Sequence, residues 1–421
     1  MIRSLALILV YAEATRWRKN LPEEGLLREA TSYASIPWPI YYLNNSVGVE
    51  MDATCLDGTP GAFYYRLNAS STQWRVFFQG GGWCYDALDC AQRATTDLGS
   101  SKGYAASIAN GGGGMMSTDP LVNPTFYGAN TIYLKYCDGD SFAGARAEPL
   151  DVPGGAVSSV KFRGQAIVDA ALATLLAEFG MTAATELVLT GSSAGGLATY
   201  LHADSVGAWA TEQLPHLRAY GAVPVSGNFL RRETVLGFPV YPDEMRTIFN
   251  LSHAALGGVP RACLDAKSSA NAWQCNFARE AYAVSTVPLF LLDSSLDSWS
   301  TSNIMAANAP NAWRDCCSKQ TDCTPEQIFS IWAWQGDFIT SLATTAQRTK
   351  KGNGAFVYNC HTHCAGTSSG SYTAFTLDGT TMADAVDKWW RALGDVDYDA
   401  TDHTYTDSLY NADGSNPNPT C

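Results

Sequence analysis

The chain has 421 residues, 46% of them hydrophobic and only 16% charged, which argues against a disordered polypeptide and allows one large domain or two modest ones. Its formal net charge is −13, with a sequence pI of about 4.9 and no run of Lys or Arg long enough to form a basic stripe, which argues against nucleic acid as a partner. The 12 cysteines, an even count without a repeated Cys-x-x-Cys pattern, point to disulfides in an oxidising compartment.

At the N-terminus, Arg3, the apolar stretch Leu5 to Ala12 and the small-x-small site Ala12-Glu13-Ala14 read as a secretory signal peptide over residues 1–14. Sequons begin at Asn44, Asn68 and Asn250, which agrees with secretion. Trp74 to Phe78 is strand-like and runs into Gly80-Gly81-Gly82, and a second strand, Thr131 to Tyr136, ends at Cys137-Asp138-Gly139. From Lys161 to Phe179, Ile167, Val168, Leu172, Leu175, Leu176 and Phe179 share one helical face, and Gly180 is a natural stop.

Glu186 to Thr190 then reads as a short buried strand feeding Gly191-Ser192-Ser193-Ala194-Gly195-Gly196, with Leu197 to Leu201 continuing as helix. A Gly-x-Ser-x-Gly between strand and helix is a nucleophile elbow, in which the turn lifts the serine hydroxyl above the sheet. Further strands are predicted at Ala219 to Val225, Val287 to Leu292 and Ala355 to Tyr358. Asn303 to Gln327, with Cys316, Cys317 and Cys323, reads as a disulfide-tied excursion. Past Gly394 the chain turns acidic, and residues 394–421 read as a loosely packed tail pinned by Cys421. No later stretch approaches the ~18 apolar residues of a transmembrane helix.

This alternation predicts one α/β domain over residues 30–393, α/β-hydrolase-like, disulfide-rich, with a mostly parallel sheet flanked by helices. Sites in such sheets lie at the carboxyl ends of strands. A serine hydroxyl needs an imidazole to take its proton, and the order serine, acid, histidine puts that base late in the chain. His361 and His363 follow a strand; His403, in the acidic tail, reads as a surface residue. The acid is Asp293 or Asp297, and pattern alone does not separate them. The amide of Ala194 and those of Gly80-Gly81-Gly82-Trp83 are the candidate oxyanion donors. Cys360, His361, His363 and Cys364 could be taken for a metal cluster, but five residues cannot easily wrap one tetrahedral ion. Disulfides stiffening the histidine loop are expected instead, with no metal and no cofactor.

Cys55-Leu56-Asp57-Gly58-Thr59-Pro60, Gly80-Gly81-Gly82-Trp83-Cys84, Tyr136-Cys137-Asp138-Gly139-Asp140-Ser141-Phe142, Gly191 to Gly196, Asp297-Ser298-Trp299 and Cys360-His361-Thr362-His363-Cys364 occur in one order. In that order the chain resembles the pectin acetylesterases, the family that also contains the Notum deacylases. The resemblance implies Ser193 as nucleophile, Asp297 as acid, His363 as base, and Gly82, Trp83 and Ala194 as oxyanion-hole amides. Two positions depart from the family pattern. Val225 stands where an aspartate is usual, which bears on the polarity of the substrate pocket, and Gln79 replaces a glutamate before the triple glycine. The expected protein is a secreted, monomeric serine esterase working through an acyl-enzyme. It would remove acetyl or other short acyl groups from pectin or another cell-wall polysaccharide. The alternatives are a Notum-like deacylase of a lipidated protein and a non-catalytic glycan-binding protein on the same fold.

Overall fold

The computed structural model describes residues 36–319, 323–342, 347, 349–409 and 415–421; the expected signal peptide lies outside them. One sheet carries ten strands: β1 (Trp38–Tyr42), β2 (Ala62–Arg66), β3 (Gln73–Phe78), β4 (Ser107–Ile108), β5 (Asn130–Leu134), β6 (Glu186–Ser192), β7 (Ala219–Val225), β8 (Phe290–Ser294), β9 (Gly354–Tyr358) and β10 (Thr404–Thr406). Their order is β10-β9-β8-β7-β6-β3-β5-β2-β1-β4. From β10 to β5 every neighbouring pair is parallel, while β2 and β1 continue the edge antiparallel.

Alternation along the central strands buries both faces of the sheet. In β6, Leu187 and Leu189 enter the core shared with Val76, Phe78 and Leu291, whereas Val188 faces a second core with Val223, Phe290, Leu292 and Phe356. Helices α1 (Gly164–Glu178) and α2 (Ala194–Gln213) supply Ile167, Leu172, Leu197 and Leu201 to the first core. The late helix α3 (Met382–Ala392) supplies Val386, Trp389 and Trp390 to the second. The α/β-hydrolase-like architecture is thus present, with helices on both faces.

Most predicted elements stand within a few residues of their expected bounds. The predicted helix begins at Gly164 rather than Lys161, and Gly180 stops it at φ +73°. The apolar run from Val287 pairs as a strand only from Phe290, so Asp293 lies inside β8 rather than after it. The cysteine-rich excursion holds a helix, Asn311–Lys319, whose Cys316 is bonded to Cys323 ahead of a long helix (Pro325–Leu342). Within the acidic stretch, β10 pairs with β9, and Cys421 is bonded to Cys360, so the C-terminus is anchored beside the sheet. Three further disulfides, Cys55–Cys137, Cys84–Cys90 and Cys263–Cys275, bring the number among the described residues to five.

Candidate active site

β6 ends in Gly191-Ser192, and Ser193 follows at φ +60° and ψ −127° before α2 starts at Ala194. A non-glycine residue held there stores about 1–3 kcal/mol of strain, which the surrounding contacts must offset. One such contact is the Ser193 amide, which donates to the Val225 carbonyl at the end of β7, 3.0 Å away. Another is close packing on β3: a side chain at Gly195 would overlap the carbonyl oxygen of Phe78.

Two strands along, Asp297 follows β8 and is almost fully buried. Its Oδ1 caps the turn Ser298–Ser300 by accepting from the Ser300 amide at 2.8 Å. That bond fixes the carboxylate, whose Oδ2 lies 2.6 Å from Nδ1 of His363, just past β9. The proton between them sits on Nδ1, so Nε2 is the acceptor; that atom is buried and has no hydrogen-bond partner. Burial works to lower the His363 pKa, but the hydrogen bond and charge of Asp297, helped by the neighbouring Cys364 side chain, outweigh it and raise the value above that of an ordinary histidine.

The other candidates have different partners. Asp293 accepts from the amides of Gly227 and Asn228 at 3.1 and 3.0 Å, and burial together with the nearby Asp297 pushes its pKa well up. It holds the loop after β7. His361 pairs through Nε2 with Thr301 Oγ1 at 3.1 Å, and burial lowers its pKa. His403 stacks on Tyr398 at 4.7 Å, next to β10. The loop after β7 also joins the two halves of the site. Val225 takes the Ser193 amide, and Ser226 Oγ accepts from the Cys364 amide at 2.9 Å, one residue beyond His363.

In the candidate oxyanion segment, Gly82 adopts φ +65°, a turn that favours glycine. Arg93, from the helix Ala87–Arg93, gathers the carbonyls of this segment, donating to Gly81 at 2.9 Å and to Gly82 and Trp83 at 3.4 Å each. Tyr136 Oη donates to the same Gly82 carbonyl at 2.8 Å. With these carbonyls held on one side, the amides of Gly82 and Trp83 are left for the other. Among the described residues none accepts a hydrogen bond from the amides of Gly82, Trp83 or Ala194. The segment beginning at Tyr136 acts as the buttress: Ser141 receives the Trp83 indole N–H at 2.8 Å, and the Gly139 carbonyl receives the Cys84 amide at 3.3 Å. These supporting roles, and that of Arg93, were not visible in sequence; the tyrosine motif was recognisable, its direction of contact was not.

Three expectations need correction or comment. Cys360 is bonded to Cys421, but Cys364 is a free thiol, so only one of the pair stiffens the loop through a disulfide. The hydrogen bond that its backbone N–H donates to Ser226 Oγ does that work instead. With the Cys360 sulfur so committed and the two imidazoles facing Thr301 and Asp297, the four residues do not form one ligand set. Val225 is fully buried in the core with Val223 and Leu292, so its side chain does not set the polarity of a substrate pocket. Gln79 keeps a structural contact, its Oε1 accepting from the Tyr136 amide at 3.1 Å.

One aromatic ring, that of Phe229, flanks the imidazole and joins it to an aromatic cluster. Phe229 lies 6.4 Å from the His363 ring, 4.9 Å from Trp83 and 5.1 Å from Trp299, and Tyr241 is 5.7 Å from Trp83. The structure thus holds a strained serine, a carboxylate-bonded imidazole and three amides without an acceptor among the described residues, the kinds of group that acyl transfer uses.

A family model described as Pectinacetylesterase matches residues 33–410. Pectin acetylesterase 5 of Arabidopsis thaliana is 33% identical over 356 residues, 82% of this chain and 79% of its own length. Pectin acetylesterase 11 of the same plant is 30% identical over 384 residues, 89% of this chain and 93% of its own length. A more distant relative, the palmitoleoyl-protein carboxylesterase NOTUM of Homo sapiens, is 29% identical over 270 residues, 61% of this chain and 50% of its own length.

Proposed function

The chain belongs to the pectin acetylesterase family and is a carboxylic ester hydrolase; on that premise we propose that it is a secreted serine esterase that removes acetyl groups from pectin or another cell-wall polysaccharide. The observation that carries the reading is the 2.6 Å bond between Asp297 and His363, which leaves Nε2 without a hydrogen-bond partner. In the proposed reaction His363 Nε2 takes the Ser193 hydroxyl proton while Oγ attacks the ester carbonyl carbon. The amides of Gly82, Trp83 and Ala194 receive the developing oxyanion. His363 then returns the proton to the departing sugar oxygen, leaving an acetyl-serine, and a water molecule repeats the sequence to release acetate.

The Phe229 ring, 6.4 Å from the imidazole and packed against Trp83 and Trp299, favours a small acyl group over the long chain of a lipidated protein. Retained strain at Ser193 favours a catalytic protein over a glycan-binding one, because a decayed site has no reason to keep it. Five disulfides favour an oxidising compartment, and the sequon residues Asn44 and Asn250 are exposed.

Ser193→Ala tests the reading. Its kcat on an aryl acetate and on acetylated pectin is expected to fall by about 10³–10⁶ without loss of fold. Comparable wild-type rates on acetylated pectin, acetylated xylan and medium-chain aryl esters would refute the substrate; a folded variant with wild-type turnover would refute the nucleophile.

A further inference from the structure

One loop, Val225 to Asn228 at the end of β7, bonds to the backbone of both halves of the site. The Val225 carbonyl accepts from the Ser193 amide at 3.0 Å, and Ser226 Oγ accepts from the Cys364 amide at 2.9 Å, one residue past His363. Ser226 reaches that amide from φ +47°, a left-handed conformation that a serine keeps only when its surroundings hold it there. The loop enters this turn tied to β8, the Ser226 amide donating to the Leu292 carbonyl at 2.8 Å. It leaves the turn tied to the same strand, because the amides of Gly227 and Asn228 both donate to Asp293 Oδ2, at 3.1 and 3.0 Å.

Asp293 is itself held still. It is buried, its backbone pairs with Val357 inside the ladder between β8 and β9, and its Oδ1 accepts from the Ser294 amide at 3.0 Å. Three backbone N–H groups therefore converge on one carboxyl group, and removing it would leave two buried loop amides without an acceptor. On its other side the loop has no slack. A side chain at Gly196, in the first turn of α2, would overlap the Val225 carbonyl oxygen, and one at Gly227 would overlap the backbone of Gly196. A shift of the loop thus moves the elbow, the histidine segment or both.

We propose that Asp293 is a positioning residue of the esterase reaction, acting through the loop Val225 to Asn228 to set the separation of Ser193 Oγ from His363 Nε2. This assignment rests on the esterase reading of Ser193 and His363. The hydrogen bonds of Asp293 go to backbone amides and not to either reacting side chain. The division of labour with Asp297 follows from the contacts. Asp297 orients the imidazole through Nδ1, and Asp293 fixes the backbone on which serine and imidazole are carried. Proton transfer from serine to histidine needs hydrogen-bond reach between the two, so a small drift of either support lowers the rate of the chemical step without removing a substrate contact.

The test is steady-state hydrolysis of an aryl acetate by full-length variants, read as kcat and KM at a temperature where circular dichroism shows each one folded. Asp293→Leu, similar in size but without an acceptor, is expected to lower kcat by about 10–100-fold with KM within about threefold. Asp293→Asn keeps one oxygen for the two loop amides and is expected to recover kcat to within about fivefold of wild type. Ser226→Ala removes the link to Cys364 and is expected to lower kcat by about fivefold to twentyfold. Because both residues act through one loop, the double variant Asp293→Leu/Ser226→Ala is expected to lose little more than the worse single one. Losses that multiply, a loss confined to KM, or a folded Asp293→Leu protein with wild-type turnover would overturn the assignment. An Asp293→Asn protein as slow as Asp293→Leu would overturn it too, since charge rather than loop support would then matter. Should Asp293→Leu fail to fold, Asp293→Ala makes the same comparison without added bulk. The esterase reading fails by a different result, aryl acetate turnover that is absent from the wild type or survives in Ser193→Ala, and the positioning role falls with it.

Discussion

Ser193, Asp297 and His363 follow three different strands, β6, β8 and β9, and the imidazole's protonation is set by the carboxylate rather than by solvent. Below its pKa His363 carries a proton on Nε2 and has no lone pair for the serine. Because Asp297 raises that pKa, kcat/KM on a neutral aryl acetate is expected to rise with pH through one ionisation whose midpoint lies above the ordinary histidine value of about 6.5. Asp297→Asn removes the charge and the acceptor together, so the midpoint is expected to move down while kcat drops by roughly 10³–10⁴. His363→Ala should match the serine variant, whereas His361→Ala, which loses only the bond to Thr301, should stay within about tenfold of wild type. A pH profile centred below 6.5 and unmoved by Asp297→Asn would show that another group governs the rate.

The segment Gly80 to Trp83, proposed to supply the oxyanion hole, has its own scaffold. Arg93 reaches it from a helix tied back by Cys84–Cys90, and a lysine in its place would keep the charge but not the fork that spans Gly81, Gly82 and Trp83. Arg93→Lys is therefore expected to lower kcat by about 10–100-fold with KM within about threefold, since misplaced amides weaken only the transition state. A change confined to KM would place Arg93 in substrate binding instead. That clamp was illegible in sequence because it links residues through carbonyls, which carry no residue identity. The elbow was legible because an apolar strand, small residues at close approaches and a following helix are all local signals. Asp293 and Asp297 were not separable, since both follow one apolar run within five residues and only the fold shows that the first lies inside β8 and the second turns to the imidazole. The strand β10 was missed because Thr404-Tyr405-Thr406 is short and polar at the edge of the sheet, where one neighbour suffices.

At the scale of the molecule, the acidity of the chain extends into its interior. Asp138 and Asp140, behind the oxyanion segment, are fully buried, and burial raises their pKa values to about 6 and about 7. Asp140 accepts from Ser252 Oγ at 2.6 Å and from Asn276 Nδ2 at 3.1 Å, which lowers its pKa, while the charge of Asp138 adds to the rise. A carboxyl whose pKa is raised in the folded protein binds its proton more tightly there than in the unfolded chain. Its contribution to stability is complete below the ordinary carboxylate value near 4 and is lost as pH rises to about 7. The buried His202, whose pKa burial lowers to about 4, works in the opposite sense over part of that range, so the whole-protein profile mixes the two. The difference between wild type and Asp140→Asn isolates the carboxyl. The amide keeps both neighbours in hydrogen-bond reach and cannot ionise. Its Tm relative to wild type is therefore expected to be lowest near pH 4, to climb steadily to about pH 7, and to level off above. A Tm difference independent of pH would mean that Asp140 ionises as freely inside the fold as outside it.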